Sequence, residues 1–261
     1  MEESPVKDSI ITGDLMEYLK VSEKGRITDI QLNLPNPANP LTVDVLEEIQ
    51  EVLKDEMKIA VISGMNKAFS AGANIKVFVD LEPKTAYEFS RRGQDVMNFL
   101  AERKMPVIAA IHGYALGGGM ELALACDYRI AHPNTIMGLP EITLGILPGF
   151  AGTQRLRHLV GETKAFELAT MGKKFGAEDA FKWGILNEIS ETYHERAMEV
   201  ALQYEKLPKE SLAYIKNLMR TKHDDLFTLE MEYFGRIFET ANQKEGVRAF
   251  LEKREAKFNK E

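Results

Sequence analysis

The chain has 261 residues, 44% of them hydrophobic and 28% charged, with a net charge of −7 and one cysteine, Cys126. This composition excludes disorder throughout and a disulfide scaffold, and it leaves room for one large or two small domains burying roughly 70–75% of the unfolded surface. No apolar run reaches the roughly 18 residues that cross a bilayer, and the acidic balance gives no general attraction to nucleic acid or anionic lipid.

Residues 1–14 are polar and acidic, without the apolar core of a secretory signal or the Arg-rich composition of a transit peptide. They read as an N-terminal tail, and with the unpaired cysteine they point to the cytoplasm. Met16–Val21 and Ile27–Leu34 read as strands, the second by alternation. Leu34–Pro40 carries Pro35, Pro37 and Pro40 and must be a loop. Thr42 is placed to cap an amphipathic helix from Val43 to about Glu56. Ile59–Ser63 is a nearly all-apolar strand, the pattern of one buried on both faces. A turn of small residues, Phe69–Asn74, follows it. Lys84–Lys104 is helical and Pro106–Ile111 is a second buried strand. Gly117–Gly119 is a second turn, Met120–Ala125 opens a helix, and Cys126–Ala131 is strand-like.

Beyond about residue 150 the β signal fades. Ala165–Met171, Ala177–Trp183, Tyr193–Lys206, Ser211–Thr221, Leu226–Asn242 and Lys244–Phe258 read as helices. The organisation is an α/β core over 15–200 followed by a helical region over 201–261, and the strand–turn–helix units predict parallel strands.

Both small-residue turns follow a buried strand and precede a helix. A helix N-terminus exposes unpaired N–H groups and partial positive charge, and glycine lets a bound atom approach the backbone. Two such turns face to face can hold one anionic oxygen between two N–H donors, an oxyanion hole. Taken singly, each turn serves equally to feed a strand into a helix. GxGxxG and GxxxxGK[ST] are both absent, so dinucleotide and P-loop readings lack support.

Two glutamates stand out. Glu121 falls in the first turn of the helix after Gly119, where a carboxylate also serves as a plain cap. Glu141 lies among apolar residues in Leu139–Leu144, ahead of Pro148-Gly149. If both converge on one site, their charges repel and their pKa values separate, giving one base and one acid. That is the equipment for adding water across a polarised double bond. A serine hydrolase is a remote alternative: Ala68-Phe-Ser-Ala-Gly72 has the outline of a nucleophile elbow around Ser70, but no Asp-then-His partnership accompanies it. An RNA-binding role finds only the small basic pairs Arg91-Arg92 and Lys253-Arg254. The five histidines show no metal-ligand spacing.

Phe69–Lys76, His112–Ala123, Cys126-Asp127 and Leu139–Gly149, extended by Gly152–Leu156 and Glu245–Arg254, together resemble the enoyl-CoA hydratase (crotonase) family in order and spacing from about Met16 onward. The resemblance implies a spiral of ββα turns with a helical C-terminal oligomerisation region. It implies an oxyanion hole from the N–H groups of Ala73 and Gly118, catalytic carboxylates at Glu121 and Glu141, and a water-placing backbone at Gly149. It implies substrate or CoA contacts from Ala71, Asn74, Ile75 and Lys76 and, on the C-terminal helix, Phe250 and Lys253, the last two in many members from a neighbouring subunit. The expected partner is an acyl-CoA thioester, without nucleic acid or membrane, in a homo-oligomer (trimer or dimer of trimers). No metal or redox cofactor is expected. Because both hydratase positions are Glu, the implied reaction is reversible syn hydration of a trans-2-enoyl-CoA to a 3-hydroxyacyl-CoA. A dehydratase of a dedicated pathway or an enoyl-CoA isomerase is the alternative within the family. The chain departs from the family pattern at two places: Asn74 stands where Asp is frequent, and no basic residue lies between Arg26 and Lys54, where relatives often carry one. The expected acyl wall is Ile75–Leu81 with Met97 and Phe99.

Overall fold

Residues 9–10, 17–221 and 225–259 are described by the computed structural model of the chain. It opens on antiparallel strands, β1 (Ser9–Ile10), β2 (Leu19–Lys24) and β3 (Ile27–Leu32). The later strands of this sheet are parallel, each reached through helix. After β3, α1 (Val43–Val52) leads to β4 (Ile59–Gly64), and α2 (Pro83–Glu102) leads to β5 (Val107–Ile111). Strand β5 runs on into β6 (Tyr114–Leu116), and α3 (Gly118–Ala125) leads to β7 (Tyr128–Ala131), which runs on into β8 (Ile136–Gly138). A 3-10 turn at Glu141–Leu144, α4 (Gly152–Val160), α5 (Glu162–Thr170), β9 (Lys174–Gly176), α6 (Ala177–Lys182) and β10 (Glu188–Ile189) follow. The chain ends in α7 (Tyr193–Glu205), α8 (Lys209–Arg220), α9 (Leu226–Ile237) and α10 (Ala241–Leu251).

The first sheet has the order β1-β2-β3-β4-β5-β7-β10 and the second β6-β8-β9. Strands β5 and β7 thus each pass from one sheet to the other before a helical segment. The β4 chain does the same in reduced form, because Ser70 bridges Ala115 in parallel fashion. Three ββ steps stack in this way, which is the spiral expected from the resemblance.

Period-two geometry sends the apolar strands to two cores. Ala60, Ile62, Val107, Ala109 and Ile111 face the larger one, with α1, α2 and α3. Ile59, Val61, Ile108 and Ala110 face a smaller one closed by Ala197, Val200 and Ala201 of α7. Helix α7 therefore belongs to the sheet although it crosses the expected division at 200/201.

Several boundaries moved, each for a local reason. The first predicted strand lies at Leu19–Lys24 because the two-residue turn at Gly25-Arg26 pairs Lys24 with Ile27 and Leu19 with Leu32. Helix α1 stops at Val52 because buried Arg103 takes the carbonyls of Leu53, Asp55 and Lys58. The single helix expected over Leu226–Asn242 is broken, since the Thr240 hydroxyl accepts from Gln243 N and starts α10 afresh. Helix α4 and strands β6, β8, β9 and β10 were not foreseen; the strands have only two or three residues, too few to show a period. Of the expected tail over 1–14, Ser9 and Ile10 pair with β2 and the rest lies outside the described residues, as does Met16.

Helix α8 is tied to the core by a charge. Lys216 Nζ is buried and donates to Asp127 Oδ2 (2.6 Å), Met105 O (3.1 Å) and Leu100 O (3.3 Å). Asp127 also accepts from Val107 N (2.8 Å) and Arg220 (3.2 Å). Removing one partner strands the other charge in a poorly solvated place. Asp127→Ala is expected to destabilise the fold by about 3–5 kcal/mol, read as a drop in thermal melting temperature, whereas Glu88→Ala, which breaks an exposed pair with Arg91, should leave it within about 0.5 kcal/mol.

Candidate active site

The two turns meet where the strand pairing brings them. Ser70 N donates to Tyr114 O (2.9 Å) and Leu116 N to Ser70 O (3.0 Å), which lays the 70–74 turn beside the end of β6. Leu41 N and Leu41 O then bond Gly72 O and Asn74 N on the far side of that turn. Ala73 N is left between them with no acceptor among the described residues. Gly118 N, in the first turn of α3, is equally without one. The two amides are neighbours: a Cβ built on Gly118 would stand 3.4 Å from Ala73 N.

Both glutamates converge on this place. Glu121, in the first turn of α3, is 1% exposed, and Glu141, on the 3-10 turn, is 8% exposed. Glu121 Oε1 accepts from Phe150 N and Gly152 N, each at 2.8 Å. The chain can aim both amides at one oxygen because Ala151 takes the left-handed conformation (φ 68°, ψ 24°). Gly152 must be glycine here, since a Cβ would fall 2.7 Å from Glu121 Cγ. Glu141 is packed against Gly117 (φ 51°), whose Cβ would fall 2.8 Å from Glu141 Oε1. Glu141 Oε2 is buried without a partner among the described residues.

Burial pushes the Glu121 carboxyl up to about 7, with the Glu141 charge adding to the rise; the Gly152 and Phe150 amides and Arg155 pull the other way. Burial also raises Glu141. The pair titrates as a unit, and two adjacent buried charges are disfavoured.

A cavity of about 600 Å³ opens in front of this pair. Ala71, Ala73, Ile75, Gly118, Glu121, Glu141 and Gly149 all line it, as expected. Of the expected acyl wall, Ile75, Phe78 and Leu81 line it, but Val79 is 82% exposed. Met97 and Phe99 do not: Met97 is fully buried in the core and Phe99 packs against it. The cavity lies against the N-terminal half of α2, and Met97 is seven residues, about 10 Å, further along the helix than Ser90. The missing wall comes from Tyr87, Phe89 and Ser90 of α2 and from Leu144, Ile146, Leu147 and Phe150. The Phe89 ring lies 5.5 Å from Phe78 and 5.2 Å from Phe150, a continuous aromatic side.

Four expected contacts do not line the cavity. Asn74 Oδ1 instead accepts from Lys76 N and caps a 3-10 turn over Ile75–Phe78. Lys76 is exposed. Phe250 lies at the end of α10 and is 82% exposed, and Lys253 follows in the turn beyond it. Ser70 is no nucleophile: its hydroxyl is buried, donates to Asn39 O (2.7 Å) and accepts from Gly72 N (3.1 Å). Among the described residues no group of three or more His, Cys, Asp or Glu is placed to hold a metal.

The sequence model of the enoyl-CoA hydratase/isomerase family matches residues 22–261. The chain is 38% identical over 238 residues to a probable enoyl-CoA hydratase of Bacillus subtilis, covering 86% of this chain and 92% of that one. It is 36% identical over 254 residues to a crotonyl-CoA hydratase of Syntrophomonas wolfei, covering 93% and 98%. The crystal structure of an enoyl-CoA hydratase from Bacillus anthracis superposes with a TM-score of 0.86 at 31% identity, covering 94% and 100%.

The raised carboxyl predicts a pH-dependent stability. Between 4.5, the ordinary value, and about 7 the unfolded chain has released the Glu121 proton while the folded chain retains it, so stability falls as pH rises through that window. Glu121→Gln removes this cost, of order 2–4 kcal/mol. Its melting temperature should match wild type near pH ~4 and exceed it increasingly toward pH ~8, measured by thermal denaturation across that range.

Proposed function

Because the chain belongs to the enoyl-CoA hydratase/isomerase family, we propose that it is an enoyl-CoA hydratase, a hydro-lyase that adds water reversibly and syn to a trans-2-enoyl-CoA. The observation that carries this reading is the convergence of two buried glutamates of opposite hydrogen-bonding character beside two unengaged amides. An isomerase that shuttles one proton between carbons needs a single acid/base; here there are two.

In this reading the thioester oxygen lies between Ala73 N and Gly118 N, which polarise the enoyl system and draw charge from C3. Glu121, anionic and oriented through Oε1, takes a proton from water with its other oxygen as the water oxygen bonds to C3. The C2–C3 π electrons move toward the thioester oxygen, and the two N–H groups hold the developing negative charge. Each such donor contributes about 3–4 kcal/mol. Glu141 then gives its proton to C2, so one proton enters Glu121 as one leaves Glu141. Both new bonds form on the face where the carboxyls sit, which makes the addition syn. The Gly149 backbone, on the cavity wall, helps to seat the water. The apolar cavity excludes bulk water and strengthens every one of these interactions.

The balance of atoms and charge closes without metal or redox cofactor, and none is proposed. Nucleic acid and membrane have no part in the reading. No helix among the described residues is long and apolar enough to cross a membrane. A cytoplasmic location is supported by the lone, buried Cys126. A homo-oligomer, trimer or dimer of trimers, is supported by the apolar side chains left exposed on α8, α9 and α10, among them Met219, Phe227, Met231, Phe234 and Phe250. In it Phe250 and Lys253 serve CoA on a neighbouring subunit, and Lys76 and Asn74 stand at the mouth of the site.

Crotonyl-CoA should lose its conjugated enoyl-thioester absorbance with wild type. Glu121→Gln and Glu141→Gln should each lower kcat by about 10²–10⁴-fold with smaller changes in KM. Dialysis against EDTA should leave the rate unchanged. Persistent absorbance with wild type, despite measured binding of the CoA ester, would turn the reading toward the isomerase. Sedimentation should give a species three or six chains in mass, and Phe227→Glu with Met231→Glu should shift it toward monomer.

A further inference from the structure

The loop that holds Glu121 is itself held. We propose that Ser90 and Gln94 of α2 are positioning residues for the Glu121 base, acting through the peptide group between Gly149 and Phe150. The carbonyl of that peptide accepts from Ser90 Oγ at 2.6 Å and from Gln94 Nε2 at 2.9 Å. Its N–H is the Phe150 amide that donates to Glu121 Oε1 at 2.8 Å. Gln94 Nε2 also reaches Ser90 Oγ at 3.2 Å, so the two donors form one unit.

Two donors on the carbonyl fix the plane of this peptide and polarise it. A polarised amide is a stronger donor at its other end, by about 10–30% per bond in a chain of this kind. The effect falls on the anionic form of Glu121, the form that takes the water proton. The same helix steadies the second half of the loop: Asn98 Oδ1 accepts from Arg155 Nη2 (2.7 Å), and Arg155 Nη1 donates to Phe150 O (3.0 Å). Ser90, Gln94 and Asn98 recur every four residues, one stripe of α2 facing one loop. Gly93 on the same helix closes the contact, since a Cβ there would meet the Phe150 ring at 2.1 Å. Loop packing alone would be met by apolar contacts; a paired set of donors on the one carbonyl whose amide faces Glu121 is a more specific arrangement. The charged groups acting on Glu121 are Glu141 from the 3-10 turn and Arg155 from α4, and neither is touched by changing Ser90 or Gln94.

The inference rests on the hydratase reading, so the experiment uses two readouts. The first is the Glu121 carboxyl titration, followed by infrared difference spectroscopy against a Glu121→Gln reference, which needs no turnover. The second is crotonyl-CoA hydration. Ser90→Ala with Gln94→Met should move the Glu121 titration upward by about half a pH unit or more. It should also shift the acid limb of kcat/KM by the same amount and lower kcat about tenfold with KM little changed. Ser90→Ala alone should move both in the same direction by less, which covers failure of the double variant to fold, and Ser90→Thr should restore both. An unchanged Glu121 titration overturns the relay whatever the hydration assay gives. Absence of wild-type hydration beside a shifted titration removes the hydratase reading and leaves the relay standing.

Discussion

A carboxylate buried at the N-terminus of a helix is the interaction on which this site depends. Glu121 is 1% exposed, and desolvation of its charge would be prohibitive without compensation. Phe150 N and Gly152 N supply that compensation at the start of α4, where the helix leaves amides unpaired and partial positive charge is concentrated. The arrangement has local costs. Ala151 takes a left-handed conformation, at of order 1–2 kcal/mol for an L-residue, and Gly152 is denied any side chain.

The second carboxyl is meaningful only against the first. Glu141 has burial without the donors, so the two carboxyls differ in their hydrogen bonding rather than in residue type. Burial keeps both above the ordinary carboxylate range, and the Glu141 charge adds to the rise at Glu121. Folding therefore retains a proton that the unfolded chain would release, and the fold gives up stability at neutral pH to hold it. The apolar walls, with the Phe78, Phe89 and Phe150 rings, sharpen this effect by keeping the local dielectric low.

The spiral is what makes such a site possible. Strands β5 and β7 cross from one sheet to the other, and the Ser70–Ala115 bridge carries the β4 chain into the same register. The turns after two different strands are thus set side by side with their amides facing one space. Helix α2 spans the outside, packs its N-terminal half on the cavity and sends three polar side chains to the loop beyond.

Much of this was legible in the sequence. The two buried strands, the small-residue turns, the Thr42 cap and the positions of Glu121 and Glu141 follow from local pattern, because burial on both faces and entry into a helix leave marks within a few residues. The ordered motifs extended this to the family. What sequence left open depended on segments far apart in the chain. The α2 stripe meets the 149–155 segment, the loop and first turn of α4, more than 50 residues away, and Lys216 reaches Asp127 across 89. Strands β6, β8 and β9 have three residues each and no period to read; they exist because neighbours supply their hydrogen bonds. The acyl wall was misread at Met97 and Phe99 because helical periodicity says which face is apolar but not which turn of that face meets a cavity. Local chemistry thus determined the two carboxyls and the small-residue turns beside them. Tertiary packing decided their protonation, their partners and the shape of the space between them, because burial and hydrogen bonding are set by whatever the fold brings alongside.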